Sequence, residues 1–378
     1  MKTKKSVSII ISFITIAFLI LYFFFAAKPL GKEYLYNPEW TINLNSSVNP
    51  NFSDDEKIAG FKVGQSIGYF TDSGKLIYLN SYPNKATISD KYFSTYNTQA
   101  NLTSFYDFKG NEKGKVNSTG FPAIYENRIY VFLPGGSSYT ACDESGNRKW
   151  INENVIPITA FASIDKYTTS GYADGSIRLI DNSDGTTVYE YEPDGSDYTI
   201  ILGLDISPDG KYIASISGKN KQRFVVCQND NNKPKIIFHT YLDEQTNKRS
   251  LIKFSKDGKF VYFNYEGGLG IYSVNKNKLV KKITLPQRII NLQENDDFIF
   301  LLTLGNNTYT VYLLEKSFVM QGHFSFQAES AFIKTMDNIL YVGKDNTISK
   351  FPRKFDTSKI FQIILLLMLY HLPNNHHF

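Results

Sequence analysis

The pentapeptide Gly64-Gln65-Ser66-Ile67-Gly68 places a serine between two glycines, as in a nucleophile elbow. That chemistry needs a strand before the serine, a helix after it and a base within reach. Here a strand-like hairpin follows Ser66. The candidate bases among the five histidines, His239 and His323, lie in no supporting motif. The pentapeptide is therefore read as a glycine-rich lead into a strand. Asp181-Asn182-Ser183-Asp184-Gly185 begins like a calcium loop with Glu192 in the twelfth place, but its glycine falls fifth instead of sixth. A β-turn accounts for it. Gly267-Gly268-Leu269-Gly270 lacks the helix that must follow a nucleotide fingerprint, and suits a tight hairpin. His376 and His377 read as solvated tail, not as metal ligands. Cys142 and Cys227 have no metal-ligand spacing and are expected as free buried thiols, not as a bridge. No residue is assigned a catalytic, cofactor-binding or metal-ligating role, and no cofactor is expected.

The elements that would carry any site are strands. The chain has 378 residues, 42% of them hydrophobic and 15% aromatic, with 29 Phe and 26 Tyr against 4 Met. Aromatic rings suit a pleated, half-buried surface, so an all-β chain is predicted. The net charge of +5 is mild, and outside the N-terminus no Lys/Arg run rises above background, so nucleic acid is not implied.

Leu204–Cys227, LDISPDGKYIASISGKNKQRFVVC, reads strand, Asp-Gly turn, strand, second turn, strand. Leu251–Val274 repeats it, with the Asp-Gly turns roughly 48 residues apart, near the length of one four-stranded blade. Third-strand segments align as SSYTACD, GSIRLID, QRFVVCQ, LGIYSVN, YTVYLLE and TISKFPR. A sandwich also has short, regularly spaced strands, but it rarely repeats one strand-turn-strand pattern six times. A β-propeller is therefore predicted over 58–352, with seven blades and eight as the alternative. Trp40, Ile42 and Leu44 alternate with polar residues in the connector 29–57. This strand could complete the last blade and close the ring.

SPDGKYIASIS and ADGSIRLID resemble the blades of WD-repeat propellers, and SPDGKYIA those of the TolB type. SGNRKW resembles the turn-and-Trp ending of quinoprotein-like (PQQ-type) repeats. The resemblance covers about Ile58–Pro352 and implies the fold more than any activity. No copy carries the Trp-Asp or Gly-His pairs of a full WD repeat, and the calcium site and catalytic aspartate of a quinone dehydrogenase are not found.

Lys2, Lys4 and Lys5 precede an uncharged run, Val7–Ala27, about 20 residues long and thus of membrane-spanning length. Residues 1–28 are expected to be an uncleaved signal anchor instead of a cleaved signal, with the N-terminus cytoplasmic and the propeller extracytoplasmic. The tail 353–378 contains the apolar stretch Ile360–Leu372, which is too short to span. It is read as packing on the ring, lying at an interface, or replacing the native end. The expected function is a non-catalytic, membrane-tethered scaffold that binds a protein partner. The alternative is an extracytoplasmic enzyme or small-ligand binder using the central channel. A scaffold should expose an apolar patch on one face, whereas a ligand site should gather ionisable groups in the channel.

Overall fold

The computed structural model describes residues 13–18, 22, 37–97, 102–195, 198–242 and 248–352. The chain divides into two compact units, Met1–Leu35 with Lys354–Phe378, and Tyr36–Arg353. In the first unit residues 13–18 and 22 are helical, and Phe13, Ile14, Ile16 and Phe18 are exposed. Among the described residues no helix is long and apolar enough to cross a membrane. This corrects the expected transmembrane anchor and, with it, the membrane as a partner and the single-pass, extracytoplasmic localisation. The rest of Val7–Ala27 and the tail 353–378 lie outside the described residues.

The second unit is all β, and its strands form eight sheets. After a lone strand, β1 (Trp40–Asn43), blade one holds β2 (Ile58–Val63), β3 (Ser66–Thr71) and β4 (Leu76–Ser81). Blade two holds β5 (Lys85–Ile88), β6 (Tyr92–Tyr96), β7 (Thr103–Asp107) and β8 (Glu112–Val116). Blade three holds β9 (Phe121–Tyr125), β10 (Arg128–Phe132), β11 (Tyr139–Cys142) and β12 (Arg148–Asn152). Blade four holds β13 (Ile158–Ser163), β14 (Tyr167–Tyr172), β15 (Ile177–Asp181) and β16 (Thr187–Tyr191). Blade five holds β17 (Ile201–Ile206), β18 (Tyr212–Ser217), β19 (Arg223–Asp230) and β20 (Lys233–Tyr241). Blade six holds β21 (Ile252–Phe254), β22 (Phe260–Tyr265), β23 (Gly268–Ser273) and β24 (Lys278–Thr284). Blade seven holds β25 (Arg288–Glu294), β26 (Phe298–Gly305), β27 (Thr308–Glu315) and β28 (Met320–Gln327). Blade eight holds β29 (Ala331–Met336), β30 (Ile339–Lys344) and β31 (Thr347–Phe351), with β1 on its outer edge.

The expected seven blades are therefore corrected to eight. The six aligned third strands belong to blades three to eight. The undercount lies in residues 58–116, where one blade has three strands and the next has strands of only four or five residues.

The turns explain why these residues fold locally as hairpins. Ser207-Pro208-Asp209-Gly210 joins β17 to β18. The Ser207 hydroxyl donates to the Asp209 carboxylate at 2.7 Å and accepts the Tyr212 N–H at 2.9 Å. Ser255-Lys256-Asp257-Gly258 repeats the arrangement with Phe260. Gly210 and Gly258 take φ of 72° and 69°, the left-handed region that glycine enters freely.

Both faces of each blade are apolar and pack on a neighbour. Phe224 of β19 stacks on Phe263 of β22 at 4.0 Å, which joins blades five and six. Phe61 of β2 stacks on Phe332 of β29 at 5.8 Å and seals blade one to blade eight. In β1, Trp40 pairs with Lys350 and Asn43 with Thr347, and the Trp40 ring lies 5.8 Å from Tyr341 and 6.5 Å from Phe70 of blade one.

Replacing Trp40 by Ala strips a half-buried ring from the seam and should cost about 2–3 kcal/mol. Denaturant unfolding checks it, and an unchanged midpoint would rule out β1 as a closure element. Asp257 sits at a pKa of about 2: burial works against its charge, but hydrogen bonds from Ser255 and Lys259 outweigh it. A depressed carboxyl stabilises the fold above its unfolded value of about 4 and loses that contribution as pH falls towards 2. The melting-temperature advantage of the wild type over Asp257→Asn should thus be present at pH 7 and vanish between about pH 4 and pH 2.

Candidate functional site

The strand order puts two kinds of connection at the two ends of the blades. One end carries the turns between first and second and between third and fourth strands. The other carries the loops between second and third strands and the links from one blade to the next. At the hairpin end polar side chains bond their own turns, while Val319 and Met320 at the β27–β28 turn are exposed. Asp143 accepts N–H groups from Ser145 and Asn147 at 2.8 Å each, and Asp107 accepts those of Lys109 and Asn111 at 2.9 Å each.

The loop end has the opposite character. Leu102 lies in the β6–β7 loop, Phe121 at the start of β9, Val155 between β12 and β13, and Tyr198 between β16 and β17. Their exposures are 56%, 38%, 88% and 60%. The Phe121 ring is 6.2 Å from Tyr96. In the β10–β11 loop Gly135 and Gly136 have positive φ and no atom within 4 Å of where a side chain would begin, so the backbone there is open to a partner. The apolar residues thus form a crescent over blades two to five. Lys219, Lys221, Lys248, Arg249 and Arg288 lie on loops or strand starts of blades five to seven at the same end. Apolar and aromatic side chains beside cations are the surface a protein interface uses.

Ionisable groups gather on the inner strands. Asp205 on β17 accepts the Phe254 N–H at 2.8 Å, and Lys253 on β21 donates to Leu292 O at 3.1 Å. Burial raises Asp205 to about 6 against the opposing pull of the Phe254 and Ile206 N–H groups and Lys253. Burial lowers Lys253, with Asp205 and Glu294 opposing. Glu294, 2% exposed, takes the Lys316 ammonium at 2.6 Å. Tyr125 on β9 is pushed up to about 12 by burial, with Arg249 opposing.

Between blades three and four lies a solvent-open groove of about 590 Å³, lined by Arg128, Tyr130, Cys142, Lys149, Trp150 and Asp181 among others. Its floor is held fast. The Tyr130 hydroxyl lies 2.7 Å from that of Thr168, which reaches Asn182 at 2.6 Å, and the Trp150 indole donates to Asn182 O at 3.0 Å.

The residues singled out in sequence are not brought together. Ser66 opens β3 in blade one, His239 lies on β20 in blade five and His323 on β28 in blade seven. Asp181–Gly185 is the third turn of blade four, and Asp181 accepts the Ser183 N–H at 2.9 Å while Asp184 accepts that of Thr186 at 2.9 Å. Gly267 and Gly268 make the β22–β23 turn, where Gly267 O accepts the Leu285 N–H. Among the described residues no group of three or more His, Cys, Asp or Glu could hold a metal. His376 and His377 lie outside them. Sequence reasoning missed Asp205, Lys253, Lys334 and Lys62. Their signal is a single charge inside an otherwise apolar strand.

Comparison with known proteins agrees with the architecture. A family model described as "beta-propeller protein" matches residues 1–354. An uncharacterized protein of Treponema pallidum (strain Nichols) is 30% identical over 280 residues, covering 72% of this chain and 74% of that one. Among solved structures, BamB from Moraxella catarrhalis superposes with a TM-score of 0.59 at 13% identity, over 84% of this chain and 99% of that one. A chain of the mitotic checkpoint complex does so with 0.54 at 12% identity, over 87% and 99%. At these identities the structures show a shared fold.

Cys142 and Cys227 are free and buried. Burial pushes both thiols up to about 11, aided at Cys142 by Asp143. At pH 7 only about one in ten thousand would be thiolate. Iodoacetamide should leave both unlabelled in the folded protein and label both in guanidinium. Rapid labelling of native Cys142 would show that the groove floor opens.

Proposed function

The chain belongs to the β-propeller protein family, and from that premise we propose that it is a non-catalytic scaffold that docks a protein partner on its loop end. The observation that carries this reading is the apolar crescent of Leu102, Phe121, Val155 and Tyr198. Exposed side chains of that kind cost solubility and are retained where a partner covers them. A rigid ring holds the loops at fixed spacing, so little order is lost on docking. Membership of a propeller chain in the mitotic checkpoint complex supports the reading by analogy of fold alone. The repeats are read as the quinoprotein-like type, on the turn-and-Trp ending at Gly146–Trp150.

The non-catalytic reading is supported by the separation of Ser66, His239 and His323 on three different blades and by the raised thiol of Cys142. A second reading, a small-ligand site in the central channel, is favoured by one observation, the gathering of Asp205 and Lys253 on the inner strands.

Crosslinking pull-down of the full-length chain, with partners identified by mass spectrometry, tests the proposal. A near-stoichiometric partner should be recovered with the wild type and with a hairpin-end control, Lys211→Glu. The double variant Leu102→Glu/Val155→Glu should lose it, with binding weakened roughly 30-fold or more for a central apolar contact. Equal recovery with the double variant would place the partner elsewhere. Absence of any partner from protein that melts cooperatively would remove the scaffold reading.

A further inference from the structure

Blade one is assembled from the last three strands of a blade, and its innermost strand is missing. In blades two to seven the third and fourth strands are paired across a bulge, at Phe105/Tyr106, Ala141/Cys142, Leu179/Ile180, Val226/Cys227, Ile271/Tyr272 and Leu313/Leu314. The pair β3–β4 has the same bulge at Tyr69/Phe70. The turn between β3 and β4 also matches. The Gly74 N–H donates to Thr71 O, as Gly110 does to Asp107 O and Gly146 to Asp143 O in the third turns of blades two and three. Those glycines lie against the outer strand of the preceding blade, Gly110 against Tyr78 and Gly146 against Lys115, and Gly74 lies against Trp40 of β1.

Strand direction gives the same answer. Inner strands run parallel to one another: Ser250 and Phe254 donate to Leu202 O and to Asp205 respectively, ascending together. By contrast β2 runs antiparallel to both neighbours. Along Lys57, Phe61 and Gly64 its contacts in blade eight descend through Asp337, Phe332 and Ser330. Along Gly60 and Lys62 its contacts in blade two descend from Asp90 to Ala86. So β2 is a second strand, and its inner edge faces the channel.

That edge is unpaired. A tight turn at Gly64-Gln65 sets Val63 opposite Ser66. Alternation then commits Val63, Phe61 and Ala59 to bonds with β3 and turns the N–H and C=O groups of Ile58, Gly60 and Lys62 inward. Among the described residues one of these finds a partner: the Gly60 N–H donates to Asp90 Oδ1 at 2.9 Å. The same carboxylate takes the Lys334 ammonium of β29 at 2.7 Å, so one lysine and one aspartate span the gap from blade eight to blade two. Lys62 is exposed, its ammonium donates to Ala86 O at 3.1 Å, and both burial and the Lys85 charge disfavour its protonated form.

We propose that this vacancy accepts an extended segment of a partner polypeptide as the missing inner strand, antiparallel to β2, with acidic side chains set towards Lys62, Lys85 and Lys334. The alternating donors and acceptors along Ile58–Lys62 match an extended backbone and not a compact ligand. The edge lies inside the ring, where the sheet edge of a second folded copy cannot reach, so the occupant is a free extended segment. Three lysines against the already engaged Asp90 select an acidic sequence. The Asp90 carboxylate holds the place of the incoming carbonyl at Gly60 and yields it on binding. This site is separate from the loop-end crescent and stands without it.

The test uses the full-length chain and synthetic eight-residue peptides, with amide hydrogen exchange read by NMR. A peptide alternating valine and aspartate should slow exchange at Ile58 and Lys62 by about tenfold or more, the mark of new backbone bonds. Asp90→Ala, checked for an unchanged fold by its melting curve, should bind the peptide about tenfold more tightly by freeing the Gly60 donor. A valine-lysine peptide should not bind, and N-methylation of alternate amides in the valine-aspartate peptide should abolish protection. Equal binding of the N-methylated peptide would reduce the site to charge attraction. Lack of binding to both wild type and Asp90→Ala, or protection elsewhere without Ile58 and Lys62, would overturn the proposal.

Discussion

Every sheet in this ring is apolar on both faces, so no blade can stand without two neighbours and the chain must bring its first and last sheets together. The seam shows the scale of the constraint. Phe61, Phe70 and Tyr341 are buried there and Trp40 partly so. Each fully buried aromatic contributes about 1.5–3 kcal/mol, so the seam is a substantial part of the marginal stability of a domain. β1 supplies Trp40 and Ile42 to that seam. The tight glycines follow from the same demand. A side chain at Gly185 would collide with the Trp150 ring of the preceding blade, so blades can approach closely only where the turn has no Cβ.

How much of this was legible depended on whether the signal was local. The Ser207–Gly210 and Ser255–Gly258 turns are visible as SPDG and SKDG, because a serine, an aspartate and a glycine satisfy each other within four residues. Strands and the propeller fold could be read from such repeats. The blade number could not, because residues 58–116 carry short strands and a reduced blade in which the repeat is blurred. The identity of β2 could not be read either. AGFKVGQSIGYF looks like any first hairpin of a blade, and only the direction in which the chain arrives marks it as a second strand.

The same distinction separates the two ends as places for function. At the hairpin end the geometry of each turn consumes its polar groups, as Asp107 and Asp143 each bind two or more neighbours in their own turn. The loop end carries no such closure requirement, and its residues can vary without loss of the ring. The isolated charges Asp205, Lys253 and Lys334 form a third class. They sit on inner strands, whose other positions are fixed by packing, so their burial cost is not explained by fold alone.

The first blade shows how ring closure and a vacancy arise together. After β1 the chain does not enter the channel wall. It climbs the outer side of blade one, where the Asn49 N–H donates to Leu76 O and Phe52 packs 5.9 Å from Phe108 with the Lys109 ammonium over its ring. It then crosses to Lys57, where Glu56 accepts the Ser73 hydroxyl and pairs with Lys75. The residues that could have formed an inner strand are used on the outer wall. At the outer edge the ring is closed by a four-residue strand with a buried Ile42. At the inner edge the Lys334–Asp90 pair, with side chains 26% and 51% exposed, bridges blade eight to blade two beside the Phe61–Phe332 stack and the Lys57–Asp337 pair. Ion pairs this exposed contribute about 0–1 kcal/mol. The channel side of blade one is thus bridged by exposed ion pairs beside the apolar seam, and an added strand would supply backbone hydrogen bonds there.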